Sequence, residues 1–108
     1  MAGAGIISMA NEAEFADLVE KSSVPTVVDL WATWCQPCIM QGKVLEELAG
    51  KHGERVKVVK VNIDELQAIA QRFSVQAIPT LLFFQDGQLS HSHVGIMSLQ
   101  DLEKRLGL

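Results

Sequence analysis

The stretch Val28-Asp29-Leu30-Trp31-Ala32-Thr33-Trp34-Cys35-Gln36-Pro37-Cys38 decides the fold of this chain. It begins inside the almost wholly apolar run Thr26 to Ala32, which is typical of a strand covered on both faces in a parallel sheet. After Pro37, apolar residues recur at helical spacing as far as His52, which predicts a helix. Two cysteines therefore lie where a buried strand passes into a helix. A single acidic residue, Asp29, interrupts the strand.

The segments before and after this unit also predict strands and helices. Asn11 and Glu14 have the spacing of a capped helix start, and apolar residues follow at helical spacing as far as Ser22. The segment from Gly5 to Met9 is compatible with a short first strand, and Arg55 to Ile63 predicts another buried strand. The two central strands are thus joined by the helix that starts at the cysteines.

A third helix is predicted after the second buried strand. Asp64 and Gln67 resemble a capping pair, and the residues that follow place one apolar face on that helix: Leu66, Ile69, Ala70, Phe73. Gly42, inside the preceding helix, should weaken that helix by about 1 kcal/mol relative to Ala. Packing against the rest of the chain has to supply the difference.

The C-terminal part predicts a hairpin and a last helix. Asp86-Gly87 is a strong hairpin signal between the strands Thr80 to Phe84 and Gln88 to Val94. Ser98 and Asp101 are typical of a capped helix start. The whole order of elements predicts an α/β fold with a mixed central sheet.

Length and charge limit the class of protein. The 108 residues fit one domain, residues 1–108, and 48% of them are hydrophobic. The net charge of −4 argues against a nucleic-acid surface, which needs clustered Lys and Arg. No basic residue precedes Lys21, and no apolar run is long enough for a membrane span. We therefore expect a soluble, cytoplasmic protein that binds neither nucleic acid nor membrane.

The Cys-x-x-Cys spacing points to redox chemistry. A thiol at a helix N-terminus faces unpaired backbone N–H groups and the positive end of the helix dipole, so its thiolate is favoured. The second thiol lies one helical turn further on and can attack a disulfide formed by the first. Cys35 and Cys38 are therefore expected to form a two-electron dithiol switch.

Cys-x-x-Cys is also half of a zinc site. A tetrahedral site needs two further ligands, and the remaining candidates are three histidines: His52, His91, His93. Pro37 and the helical setting suit redox chemistry better, so we expect no metal and no other cofactor. His91 and His93 alternate in a polar strand and are expected to share a solvated face.

Three separated motifs together resemble the thioredoxin family over nearly the whole chain, from about Ile7 to Leu106. They are the stretch quoted at the outset, then Lys60-Val61-Asn62-Ile63-Asp64, and finally Ile78-Pro79-Thr80 followed by Asp86-Gly87 and Val94-Gly95. The resemblance implies a thioredoxin fold, with a central mixed β-sheet flanked by four helices. It also implies a thiol–disulfide oxidoreductase that reduces protein disulfides and is itself reduced by thioredoxin reductase.

The resemblance also implies a role for individual residues. Cys35 would be the exposed nucleophile, Cys38 the buried resolving thiol, and Asp29 a buried carboxylate that assists proton transfer at the second cysteine. By physical chemistry alone, an Asp in an apolar strand has a raised pKa, which suits it to that task. Lys60 would lie near this carboxylate. From its residue type, Trp31 is expected to be a core residue that packs beneath the site.

A substrate surface is implied as well. Pro79 would be a cis-proline facing the cysteines, leaving the backbone of Ile78 free to pair with an extended substrate. The other residues expected at this surface lie around the cysteines and after the last strand: Trp34, Gln36, Pro37, Val94, Gly95.

The chain departs from the usual family pattern at three positions. Gln36 replaces a common Gly, Ile39 a common Lys, and Lys43 a helix-kinking Pro, so the second helix should be straighter. Gln36 is expected to donate a hydrogen bond to the Cys35 thiolate and so to raise the redox potential. Two alternatives follow: an oxidant or isomerase tuned by Gln36, or an accessory binding module with incidental thiols. The favoured hypothesis is a monomeric disulfide reductase.

Overall fold

Five strands and three α-helices make up the part of the chain that the computed structural model describes, residues 6–108. The strands are β1 Ile6–Ser8, β2 Thr26–Trp31, β3 Lys57–Asn62, β4 Thr80–Gln85 and β5 Gln88–Val94. The α-helices are α1 Gln36–His52, α2 Gln67–Arg72 and α3 Leu99–Leu106. Short turns of 3₁₀ helix occupy Glu12–Glu14 and Gly53–Arg55. The predicted strand from Gly5 is confirmed as β1, although Gly5 itself lies outside the described residues.

The five strands form one mixed sheet in the order β1-β3-β2-β4-β5. β2 and β3 are parallel, with Asp29 level with Lys60, whereas β4 runs antiparallel to both β2 and β5. β2 is therefore central and has a neighbour on each side. The predicted α/β fold with a mixed sheet is confirmed.

Both faces of the sheet are covered by apolar side chains. The face beneath α1 and α3 carries one buried cluster, which includes Val27, Val58, Leu81, Phe83, Leu45, Leu48, Met97, Leu102, Leu106. The opposite face, beneath the N-terminal segment and α2, carries the other, which includes Val28, Leu30, Val59, Val61, Leu82, Phe84, Phe15, Val19, Ile69. Each such side chain stabilises the fold by about 1.5 to 3 kcal/mol when fully buried. Burial on both faces explains why β2 has no alternating polar pattern.

The first helical segment differs from a regular α-helix. After the 3₁₀ turn, Ala16–Glu20 is π-helical, and the Lys21 N–H donates to the Ala16 carbonyl five residues earlier at 2.9 Å. The predicted start is confirmed, because Glu14 Oε1 accepts from the Asn11 N–H at 3.2 Å. Among residues 6–108, no helix is long and apolar enough to cross a membrane.

The predicted cap of α2 is wrong. The Asp64 side chain does not cap this helix, because its Oδ2 atom accepts a hydrogen bond from the Trp34 indole at 2.9 Å. Instead Glu12 caps α2 from the N-terminal turn, with Oε2 accepting from the Ala68 N–H at 2.8 Å. The predicted apolar face is confirmed, since Ile69 in α2 and Leu66 at its N-cap are both buried.

The hairpin between β4 and β5 has the turn that its sequence predicts. Asp86 and Gly87 have φ angles of 52° and 79°, the left-handed values that a two-residue hairpin turn requires. A side chain at Gly87 would also collide with the backbone carbonyl of Glu20. β5 carries a bulge opposite β4, where Ser90 Oγ donates to the Phe83 carbonyl at 3.0 Å.

Candidate active site

Cys35 and Cys38 form a disulfide at the junction between β2 and α1, with their Cα atoms 5.2 Å apart. Cys35 is the N-cap of α1 and has extended backbone angles, while Cys38 lies in the first turn of the helix. Cys35 is 6% exposed and Cys38 is 0% exposed. Cys35 is thus less exposed than the sequence suggests, but of the pair it alone presents surface to a partner.

The start of α1 is arranged to stabilise negative charge on the first sulfur. The Cys38 backbone N–H donates to Cys35 Sγ at 3.2 Å, in the position of an N-cap hydrogen bond. The carbonyl oxygen of Ile78 lies 3.9 Å from the same sulfur, and the Ile78–Pro79 peptide bond is cis. The expected hydrogen bond from Gln36 is not present in this disulfide form within residues 6–108, and the Gln36 side chain is exposed.

Asp29 is fully buried in the centre of the sheet, on the face that α1 covers. Neither carboxylate oxygen has a hydrogen-bond partner among the described residues. The Lys60 ammonium lies 3.7 Å from Oδ2, which is beyond hydrogen-bond distance. Burial raises the pKa of Asp29 to about 6, and the charge of Lys60 partly opposes that rise. The carboxyl group therefore changes its protonation near neutral pH.

The Lys60 ammonium group lies between the sheet and α1, beside Gly42. Its Nζ lies 4.5 Å from the centroid of the Trp31 ring, which is half-buried and not part of either core cluster. A Cβ atom at Gly42 would stand 3.1 Å from Nζ, so the glycine on α1 leaves room for the ammonium group. Any larger residue at position 42 would press on the Lys60 ammonium group, which would have to shift by a few tenths of an ångström.

Exposed apolar side chains lie on the segments that flank the disulfide, and they are called the apolar rim. Trp34 is 66% exposed, and its indole is held by the hydrogen bond to Asp64. Val94, at the end of β5, is 63% exposed. The next residue, Gly95, donates its N–H to the Pro79 carbonyl at 2.8 Å, so the loop after β5 lies beside the cis-proline. The structure therefore brings the predicted rim segments together.

The sequence analysis missed Met40, Gln41 and Ile96, and it named Ile39 only as a departure from the usual family pattern. Ile39, Met40 and Ile96 are 40%, 59% and 46% exposed, although large apolar side chains are usually buried. Gln41 is the opposite case, a polar side chain that is fully buried. Helical spacing gives the signal for Gln41, because it lies three residues after Cys38 on the same side of α1.

The histidines do not approach the cysteines. His52 Nε2 lies 2.7 Å from Glu103 Oε2 and links α1 to α3. His91 and His93 lie on the same side of β5, as expected, but they are half-buried, and the His91 ring centroid lies 6.1 Å from that of Phe83. Within residues 6–108, no three His, Cys, Asp or Glu side chains are grouped closely enough to hold a metal ion.

Comparison with known proteins agrees with this geometry. The family model described as Thioredoxin matches residues 6–107. The chain belongs to the thioredoxin family. It is 40% identical to Thioredoxin 1 of Synechococcus elongatus over 101 residues, which is 94% of each chain. It is 44% identical to Thioredoxin of Haemophilus influenzae over 87 residues, or 81% of each chain.

A plant relative extends the same comparison. The chain is 39% identical to the chloroplastic Thioredoxin M-type of Spinacia oleracea over 85 residues, covering 79% of this chain and 47% of that one. As a member of the thioredoxin family, the chain is a thiol–disulfide oxidoreductase and a protein-disulfide reductase. Cys35 and Cys38 are its active-site pair.

Proposed function

We propose that the chain reduces protein disulfides by attack of the Cys35 thiolate, followed by resolution by Cys38. The observation that carries this assignment is the N-cap position of Cys35, whose sulfur accepts a hydrogen bond from the Cys38 N–H. In the first step the Cys35 thiolate attacks one sulfur of the substrate disulfide. A mixed disulfide forms, and the other substrate sulfur leaves as a thiolate.

The second step closes the ring that the structure contains. The Cys38 thiol loses its proton and attacks Cys35 Sγ, which releases the second substrate sulfur. The substrate has then gained two electrons and leaves as two thiolates, which take up two protons from solvent, and the protein is left as the Cys35–Cys38 disulfide. The short reach within one helical turn makes this attack intramolecular and fast.

Asp29 is proposed as the group that accepts the proton of Cys38. Its burial against the α1 side of the sheet and its pKa of about 6 support this role, because a base with a pKa near the working pH is efficient. Lys60 is proposed to moderate the pKa of Asp29 by its charge. Trp31 supports Lys60 through its ring face.

The substrate is proposed to lie across the apolar rim. Trp34 and Val94 would contact its side chains, and the backbone of Ile78 would pair with its extended chain. The remaining contacts are assigned to residues beside the disulfide and the cis-proline: Gln36, Pro37, Pro79, Gly95. The exposure of Trp34 and Val94 supports this placement, since exposed apolar side chains around a site mark a docking surface.

The physiological setting is also a proposal. We place the protein in the cytoplasm as a monomeric single domain, residues 1–108, that carries electrons without a bound cofactor. Thioredoxin reductase would return two electrons and two protons to the disulfide and so maintain the redox balance of the cell. The net charge of −4 supports protein partners over nucleic acid.

Reduction of insulin with dithiothreitol as the electron source tests the function. We expect the protein to accelerate precipitation of the separated insulin chains well above dithiothreitol alone. The matched control is a variant with both Cys35→Ser and Cys38→Ser, which should show only the background rate. A wild-type rate no higher than this control would refute the reductase assignment and favour the binding module.

A further inference from the structure

Gln41 joins α1 to the loop that follows β5. Its Nε2 donates to the Met97 carbonyl at 3.1 Å, and its Oε1 accepts from the Met97 N–H at 2.6 Å. The amide orientation is determined by these bonds, because a flipped amide would place donor against donor and acceptor against acceptor. Both polar atoms of the Gln41 amide are thus bonded to one backbone residue, and the side chain is fully buried.

The loop from Val94 to Met97 is held at both ends. At its start, the Gly95 N–H donates to the Pro79 carbonyl at 2.8 Å, beside the cis-proline. At its end, Gln41 holds both backbone groups of Met97. Between these anchors Ile96 is 46% exposed, and Val94 before them is 63% exposed. The exposed side chains of the loop are thus presented from a backbone fixed to two elements of the redox site.

We infer that Gln41 is a positioning residue that keeps the Val94–Met97 loop in register with the disulfide. Cys38 and Gln41 lie one turn apart on α1. The helix that carries the resolving sulfur therefore also fixes the position of the loop relative to the disulfide. This inference rests on the proposed role of the loop in substrate binding. It extends the substrate surface to Ile96, whose exposure depends on both anchors.

The arrangement favours large substrates. A protein disulfide contacts both the sulfur and the loop, whereas a small disulfide contacts the sulfur alone. An apolar residue at position 41 would leave the Met97 N–H and carbonyl without partners, and the loop would lose its fixed position. A substrate would then have to order the loop when it binds, which raises KM and leaves the chemical step unchanged.

The test compares Gln41→Leu and Gln41→Asn with Val44→Ala, using the full chain. Val44 packs against the same core from the same helix, but it makes no hydrogen bond to Met97. With insulin, we expect KM to rise about fivefold to tenfold in both Gln41 variants, with kcat within about twofold of wild type. With hydroxyethyl disulfide, all three variants should keep the wild-type rate.

Hydrogen exchange gives a second, local readout, for which Val44→Ala controls for general destabilisation. The Met97 amide should lose its protection in both Gln41 variants and keep it in Val44→Ala. Equal loss of rate on both substrates, an unchanged KM for insulin, or a protected Met97 amide in the variants would each overturn the inference. The wild-type insulin rate separately tests the proposed function, so failure of one is distinguishable from failure of the other.

Discussion

The Asp29→Asn substitution tests how much the buried carboxyl group lowers the free energy of unfolding. Burial raises the pKa of Asp29 from 3.8 to about 6, while Lys60 partly opposes the rise. A difference of about two pKa units corresponds to about 3 kcal/mol of lost stability once the carboxyl is ionised in both folded and unfolded chains. Asn has nearly the same shape and cannot ionise, so it removes this loss.

The sign follows from proton binding. Between the unfolded and folded pKa values the folded chain binds more protons, so the wild type loses stability as pH rises through that window. The Asn variant does not. We expect its free energy of unfolding, relative to wild type, to increase by about 2 kcal/mol between about pH 4 and about pH 7.5. Urea unfolding at both pH values measures this change, and its pH dependence is separate from any packing effect of Asn.

Activity supplies the second part of this test. Single-turnover reduction should show a slower resolving step in Asp29→Asn, with formation of the mixed disulfide little changed, because Asp29 is proposed to act only on Cys38. A stability difference that is the same at both pH values would show that Asp29 is not buried as an ionisable group. If the rate of the resolving step in Asp29→Asn equals that of wild type across about pH 6 to 8, the role of Asp29 as proton acceptor is refuted.

Three further predictions concern the same site. Cys38→Ser should accumulate mixed disulfides with lysate proteins and Cys35→Ser almost none, as seen by mass spectrometry of non-reducing adducts, whereas equal trapping would reverse the assigned roles. Gln36→Gly should be the stronger reductant by about 20 mV against a glutathione series if Gln36 reaches the thiolate in the reduced form, and a Gly variant that is the more oxidising of the two would assign Gln36 to partner recognition. Lys60→Gln should raise the pKa of Asp29 further, measured by carboxyl NMR titration, and a lowered value would contradict the opposing charge of Lys60.

The elements of the fold that depend on local sequence were predicted well. β2 was evident from its apolar run, and the turn at Asp86-Gly87 from residues that tolerate left-handed backbone. The cap of α2 was not predictable in this way. Its acceptor is Glu12, which is 56 residues before Ala68 in the chain and approaches it only in the folded structure.

The site shows the same division. The disulfide pair and the burial of Asp29 followed from spacing and from an acid in an apolar strand. The hydrogen bonds of Gln41 to Met97 join residues 56 positions apart, and neither residue type predicts such a contact. Local patterns therefore predicted the reacting groups, whereas the groups that hold the surrounding loops depend on contacts between distant segments.

The bulge in β5 affects whether another extended chain can pair with the outer edge of the sheet. β5 is the outer strand beside β4, and a regular outer strand is a template on which another extended chain can add and aggregate. Ser90 interrupts the ladder and turns its hydroxyl back onto the Phe83 carbonyl. A polypeptide with exposed strands therefore finds a discontinuous template at this edge. The bulge is therefore expected to hinder a substrate chain from adding to this edge as a further strand.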